Sequence, residues 1–271
     1  MIYLVGTSRG GTTVLQAALA SFENVAAVGE LKRLHALAAN SAQCGCGLSV
    51  PQCPVWSKLL ALPPVASLTK AETILASLRL ASRLSLGGRA GHSVRSAANA
   101  TKALASALGH QILVDSSKDI DRLVLHARND DLNLVPVHVI RDPRGVLQSG
   151  IRRTHFSPDR IARNWFRVNA AIVALRLGTR HLRWQTVRYE DFCANPLGVC
   201  RAILAAAGTE HSLRTDTEVQ HALGGSPGFR FDGADGITLQ EPWREELSSE
   251  LQQVALRRGG YIAKRFGYRE E

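Results

Sequence analysis

Short apolar runs, each closed by polar residues, alternate along this chain with longer stretches of helical periodicity. Met1-Ile2-Tyr3-Leu4-Val5, Val25-Ala26-Ala27-Val28, Gln111-Ile112-Leu113-Val114, Leu134 to Ile140 and Trp184 to Tyr189 read as buried strands. Helices are predicted directly after the first strand and over about 119–129, 144–153 and 159–178. Strands that alternate with helices and end in polar clusters predict an α/β fold, a P-loop-like central parallel sheet flanked by helices with ligands at its carboxyl edge. Residues 35–110 are different, being rich in Ala, Ser and Leu. Ala71, Ile74, Leu75, Leu78 and Ala81 recur at helical spacing between Pro63-Pro64 and Gly87-Gly88, and a second helix is expected from about Val94 to Leu108. This segment reads as a mostly helical insert over the core, a place for substrate selection. No repeat or low-complexity linker interrupts the pattern, so 1–271 is expected to be one domain.

Composition narrows the ligands more than the fold. The 271 residues carry 33 Lys and Arg against 23 Asp and Glu, a formal net charge of +10, which suits anionic partners. The basic residues are dispersed, with small groups at Arg152-Arg153 and Arg257-Arg258. No polybasic tail or RNA-binding aromatic signature accompanies them, so nucleic acid is not the expected partner. The first residues show no secretory pattern, and no apolar run approaches the ~20 residues a bilayer crossing needs. Ala170 to Leu175 comes nearest and Arg176 ends it; a cytoplasmic protein is the expectation. Three of the five cysteines cluster as Cys44-Gly45-Cys46 and Cys53. They could be a metal site, a redox pair or plain packing. A structural zinc wants four ligands and only the distant His35 offers itself, so no metal site is assigned. Cys193 and Cys200 read as small buried residues.

The most chemical segment is Leu4-Val5-Gly6-Thr7-Ser8-Arg9-Gly10-Gly11-Thr12-Thr13. A glycine-rich turn between a strand and a helix offers backbone amides and the positive helix end to an anion. Gly10 and Gly11 allow close approach, Arg9 adds charge, and Ser8, Thr12 and Thr13 add hydroxyls. Gly6 to Gly11 has the Walker spacing, but Thr12 stands where that loop carries lysine, which weighs against an ATP or GTP hydrolase. Two further clusters, Asp115-Ser116-Ser117-Lys118 and Arg141 to Ser149, also follow core strands, and in a parallel sheet the three converge. Arg141 at a strand end and Ser149 two turns into the next helix could grip one phosphate. Arg141 could equally be a structural partner of an aspartate.

Together these motifs resemble those of sulfotransferases that use 3′-phosphoadenosine 5′-phosphosulfate (PAPS). Ser8-Arg9-Gly10-Gly11-Thr12-Thr13 is similar to that family's 5′-phosphosulfate loop. Val139-Ile140-Arg141-Asp142-Pro143-Arg144 through Ser149 is similar to its 3′-phosphate motif. Val187-Arg188-Tyr189-Glu190-Asp191-Phe192 with Asn195-Pro196 resembles a later strand motif whose tyrosine lies near the nucleotide. The stretch from His221 to Phe231, Trp243-Arg244 and Phe266-Gly267-Tyr268 resemble the C-terminal part of the bacterial, carbohydrate and protein-tyrosine branches. Arg9 replaces the lysine of the cytosolic small-molecule branch, and that branch's Arg-Lys-Gly element is missing; Arg230 is the candidate to serve the 3′-phosphate instead.

The resemblance implies transfer of a sulfuryl group to a hydroxyl of a glycan, metabolite, lipid or tyrosine. No metal is demanded, because the group in transfer carries less charge than a phosphoryl group. Glu30, after the second strand, is the candidate base, against a reading as a capping residue or a salt-bridge partner of Lys32 or Arg33. Lys118 is the candidate to neutralise the departing bridging oxygen, against a reading as a solvated lysine. Arg9, Gly10, Gly11, Thr12 and Thr13 should hold the phosphosulfate, Arg141 and Ser149 the 3′-phosphate, with Tyr189 beside the nucleotide. The alternatives are a P-loop small-molecule kinase, for which Asp115 is the only stand-in magnesium ligand, and a non-catalytic nucleotide-binding module.

Overall fold

A computed structural model of the chain describes residues 1–61, 89–129, 132–214, 221–224 and 236–270, with the side chains of 89–98 left undescribed. In chain order the elements are β1 (Ile2–Gly6), α1 (Thr12–Leu19), β2 (Val25–Gly29), α2 (Leu34–Ala39), α3 (Trp56–Leu60), α4 (Arg89–Leu108), β3 (Ile112–Asp115), α5 (Ile120–Ala127), β4 (Val135–Ile140), α6 (Pro143–Arg153), α7 (Pro158–Gly178), β5 (Gln185–Arg188), α8 (Tyr189–Ala194), α9 (Pro196–Ala206), α10 (Trp243–Glu246) and α11 (Ser249–Arg265).

Side chains of β1 alternate between two cores, as the period of two in a strand requires. Ile2 and Leu4 pack with Leu15, Ala18 and Leu19 of α1 and with Ile203 and Leu204 of α9. Tyr3 and Val5 point the other way, toward Leu123 of α5 and Ile172 of α7. Every β1 residue is therefore buried, which is why the sequence shows a continuous apolar run rather than an alternation.

The five strands form one parallel sheet in the order β2-β3-β1-β4-β5. β1 sits in the middle, and the chain visits β2 and β3 on one side before crossing to β4 and β5. That reversal opens a crevice at the carboxyl edge beside β1. The expected P-loop-like α/β sheet is thus observed, with strand ends shifted by about one residue. Among the described residues no helix is long and apolar enough to cross a membrane.

Of the insert, α4 matches the expected second helix and begins earlier, at Arg89. The helix expected between Lys70 and Leu86 lies outside the described residues. Residues 35–61 hold only short helices, and Leu34, Val50, Trp56 and Leu59 pack with Ala100 and Leu104 against Val28 and Leu113 of the sheet.

Several helix starts share one device. Asp142, Ser157 and Asn195 each accept a hydrogen bond from an amide in the first turn, and a proline opens the helix that follows. Asp119 caps α5 in the same way without the proline. α1 departs from this rule: its N-cap is Gly11, with no side-chain cap.

Two histidines are buried neutral in the core. His138 on β4 bonds to Asn169 Oδ1 at 2.8 Å, and burial lowers it to about 4 from an ordinary value of 6.5. His126 is lowered well below the usual range, by burial first and then by the Arg122 guanidinium, and both its ring nitrogens are buried without a hydrogen-bond partner among the described residues. The unfolded chain binds protons at these rings below pH 6.5 while the native chain does not, so stability falls as pH drops from 6.5. His138 should remove about 1.5 kcal/mol between pH 6.5 and 5, and His126 adds to the loss in the same direction. Urea denaturation at the two pH values measures the loss, and His138→Gln should flatten the dependence.

Candidate functional site

The carboxyl ends of β1, β3, β4 and β2 bring together most of the residues the sequence singled out. After Gly6 the chain turns through Thr7–Gly11, closed by a Gly10 N–H bond to the Thr7 carbonyl at 3.1 Å. Arg9 and Gly11 both have positive φ, 68° and 94°, a conformation that glycine adopts at no cost and arginine does not. α1 starts at Gly11 with no side-chain cap on its first turn. Thr7 is 2% exposed, and its Oγ1 is buried with no hydrogen-bond partner among the described residues. Such an orphaned hydroxyl beside an open helix N-terminus fits an anionic ligand. Ser8 is exposed, Thr12 buried and Thr13 half-buried.

Gly11 is also fixed by its neighbour. A Cβ there would lie 2.2 Å from Cδ2 of Tyr189. The Tyr189 ring thus lies on the loop, and the Arg141 guanidinium sits 4.5 Å from its centroid. Burial pushes the Tyr189 phenol up to about 12, so it is a neutral platform.

Arg141 donates to the carbonyls of Arg9 and Gln240 at 3.4 and 3.3 Å. Among the described residues no carboxylate pairs with it. The structural alternative falls to Arg144 instead, which takes Asp142 through Nη2 at 2.8 Å and stacks on Trp243 at 3.9 Å. Ser149 lies half-buried two turns into α6. Arg230 lies outside the described residues.

On the other flank, β2 and β3 are paired, with Gly29 in register with Asp115. Their extensions place Lys118 Nζ 2.6 Å from Glu30 Oε1, with side chains 13% and 12% exposed. Lys118 is therefore not a solvated lysine, and it holds a left-handed φ of 58°. Arg33 takes the other Glu30 oxygen at 3.1 Å, while Lys32 pairs with Asp119 at 3.2 Å. The salt-bridge reading of Glu30 thus holds for Arg33 and not for Lys32. Burial raises the Glu30 carboxyl, but the Lys118 ammonium and the Arg33 guanidinium together outweigh it and hold the group below the usual carboxylate range. Arg9 is lowered by burial and by the Arg153 guanidinium and pulled back by Glu30, so the loop and the carboxylate act on each other.

Asp115, the stand-in magnesium ligand of the kinase alternative, is fully buried. It is bound by Arg122 Nε at 3.1 Å and by the Ser117 amide at 2.8 Å.

Beside the loop lies a cleft of about 700 Å³ lined by Thr7, Ser8, Arg9, Arg160, Arg163 and Arg167 among others. The α7 arginines were not expected as site residues; they recur along one helix, and only the fold brings them opposite Arg9. The sequence also left Glu190 without a role. Its carboxylate accepts from the Asp142 amide at 2.9 Å and from the Tyr268 hydroxyl at 2.8 Å, tying two motifs 78 residues apart.

No family model matches the chain. In sequence it is similar to mouse (Mus musculus) carbohydrate sulfotransferase 5, 27% identical over 168 residues, covering 51% of this chain and 42% of that protein. The match thus spans less than half of the relative's length. In structure it is similar to the sulfotransferase domain of the Synechococcus PCC 7002 olefin synthase, with a TM-score of 0.57 at 19% identity over 100% of this chain and 95% of that one. The sulfotransferase domain of the curacin biosynthetic pathway superposes equally, with a TM-score of 0.56 at 17% identity over 100% and 98%. The chain has the fold of these sulfotransferase domains, and the resemblance to sulfotransferases read from its motifs is borne out.

Lys118→Met removes the nearer of the two cations from Glu30 and leaves burial opposed by Arg33 alone. The Glu30 carboxyl should then titrate at higher pH than in the wild type, read from its carboxyl carbon-13 shift. An unmoved midpoint would show that the ion pair does not set the charge of Glu30.

Proposed function

We propose that this protein is a sulfotransferase that takes the sulfuryl group of PAPS to a hydroxyl acceptor. The observation that carries this reading is the Glu30–Lys118 pair, held at the sheet edge beside an uncapped glycine loop. It supplies a carboxylate and an ammonium at one spot, next to a cradle that fits an anion. PAPS supplies the activated sulfuryl group. Its transfer resembles phosphoryl transfer, in which positioning and electrostatic stabilisation provide most of the catalysis.

In this reading the Gly10, Gly11, Thr12 and Thr13 amides, the hydroxyls of Thr7, Ser8 and Thr12, and Arg9 hold the 5′-phosphosulfate. Arg141 and Ser149 hold the 3′-phosphate, and Tyr189 keeps Arg141 aligned over the loop. Lys118 turns from Glu30 toward the bridging oxygen and offsets the charge that grows there. That turn frees a Glu30 oxygen to accept the proton of the acceptor hydroxyl at about 2.6–3.2 Å. With the two groups paired at rest, the donor must bind before the carboxylate becomes available. No step calls for a metal. A carbohydrate hydroxyl is the favoured acceptor class, because the relative matched in sequence is a carbohydrate sulfotransferase. The kinase alternative is weakened by Thr12 in the lysine position and by the engagement of Asp115 with Arg122. A non-catalytic nucleotide-binding module would bind the same nucleotide without turnover.

Transfer of labelled sulfate from PAPS to a carbohydrate panel tests the activity. Glu30→Gln should abolish that transfer while calorimetry shows adenosine 3′,5′-bisphosphate binding nearly unchanged. Undiminished turnover would remove Glu30 from the mechanism.

Arg141→Ala should weaken adenosine 3′,5′-bisphosphate by about 1.5–3 kcal/mol, the range for a hydrogen bond to a charged group, and adenosine 5′-monophosphate much less. A variant that keeps the wild-type preference for the 3′-phosphate would assign that contact elsewhere.

A further inference from the structure

On the far side of β2 from the glycine loop, Cys44, Cys46, Cys53 and His221 converge. Their three sulfurs and one ring nitrogen all lie within 4.8 Å of one another. We propose that these four residues bind one zinc ion in a closed, structural Cys3His site. The fourth ligand missing from the sequence pattern is supplied from 168 residues away, where His221 Nδ1 stands 3.2 Å from Cys53 Sγ.

The spacing of the four atoms is close to what a tetrahedral site requires. Metal–sulfur bonds of about 2.3 Å and metal–nitrogen bonds of about 2.0 Å separate tetrahedral ligand atoms by about 3.5–3.8 Å, so small movements of the side chains suffice. Three thiolates and an imidazole suit zinc over the harder divalent ions. With all four positions taken by protein there is no open site for a reactive water, which makes the ion structural.

The scaffold holds the ligands before any ion arrives. Gln43 and Ser49 form an antiparallel bridge. Inside it the Cys44 amide donates to the Leu48 carbonyl at 2.8 Å and the Gly47 amide to the Cys44 carbonyl at 2.9 Å. Gly47 has a φ of 90°, and this tight turn aims Cys44 and Cys46 the same way. Cys53 follows a short 3₁₀ turn, its amide bonded to the Ser49 carbonyl at 2.8 Å. On the other segment, Trp56 Nε1 donates to the His221 carbonyl at 2.6 Å and the Gly45 amide to the Ala222 carbonyl at 3.1 Å. Packing alone accounts for the buried Cys44 and Cys53, but not for a half-buried Cys46 and an imidazole nitrogen turned to the same point. All five cysteines are free thiols, and a disulfide between any two of the three would leave the third and the imidazole unused.

The position gives the site a role. Leu223, two residues after His221, bonds to β2 on both sides. Its amide donates to the Val28 carbonyl at 3.0 Å, and its carbonyl accepts from the Glu30 amide at 2.7 Å. Zinc would fasten residues 221–224 to the hairpin and hold the backbone on which Glu30 stands.

The full chain, purified without a histidine tag and dialysed against a weak chelator, should retain one zinc per molecule by plasma mass spectrometry. Cobalt exchanged into it should show the intense visible bands of tetrahedral thiolate coordination. Cys46→Ser and His221→Ala should each drop the zinc well below one per chain, and His221→Cys, which offers a fourth thiolate, should restore it. Stripping the ion with a chelator should lower the Tm and zinc should return it. A reduced wild-type chain that carries no zinc and gives no cobalt bands overturns the proposal, and so does zinc content unaltered by Cys46→Ser and His221→Ala combined. None of these readouts involves sulfuryl transfer, so they stand or fall separately from the proposed activity.

Discussion

A parallel sheet buried on both faces can present its chemistry only where its strands end. Most candidate residues hang from such an end: the glycine loop from β1, Glu30 from β2, Lys118 from β3, Arg141 from β4 and Tyr189 from β5. The close approach of β1 to β4 enforces the arrangement. A Cβ at Gly6 would meet the Val139 carbonyl oxygen at 2.2 Å, so the loop leaves β1 against its neighbour and faces the start of α6. The helices fix the faces, the faces fix the strand order, and the order decides which loops meet.

Charge at this edge is sorted by what is already satisfied. Asp142 is taken by Arg144, and Glu190 by the Asp142 amide and Tyr268. Asp115 is taken by Arg122 and Asp119 by Lys32. The acidic groups thus serve the fold, while Arg9 and Arg141, unpaired with any carboxylate among the described residues, face the loop. Glu30 is held by Lys118 at 2.6 Å, a pair that in the proposed reaction the incoming anion draws apart. A buried pair of this kind is weak evidence for stability and reads better as a resting position.

What the sequence disclosed was what is local. The glycine loop, the strand ends and the spacing from Arg141 to Ser149 lie within single turns or along one helix, so residue order gave their neighbourhood. Glu30 and Lys118 could be named singly but not paired, because only the β2–β3 register sets them side by side. Whether Arg141 pairs with an aspartate was beyond reading, since only the fold shows that Asp142 is taken by Arg144, which also stacks on the distant Trp243 ring. Contacts across long separations were silent for the same reason: Tyr189 on Gly11, Tyr268 on Glu190, His221 beside Cys53. The cysteine cluster shows this most plainly, for three ligands lay within ten residues and the fourth had no local signal.

Tyr268 has a consequence for how the protein is made. Its hydroxyl bonds to Glu190, its ring lies 4.9 Å from the Arg188 guanidinium, and Glu190 in turn holds the first turn of α6 through the Asp142 amide. During vectorial synthesis at about 5–20 residues per second, β4 and β5 leave the ribosome seconds before the segment that carries Tyr268. Until it emerges, a carboxylate and a guanidinium at the edge strand lack the aromatic partner that covers them. The β5 edge of the sheet is thus the last to gain its aromatic cover.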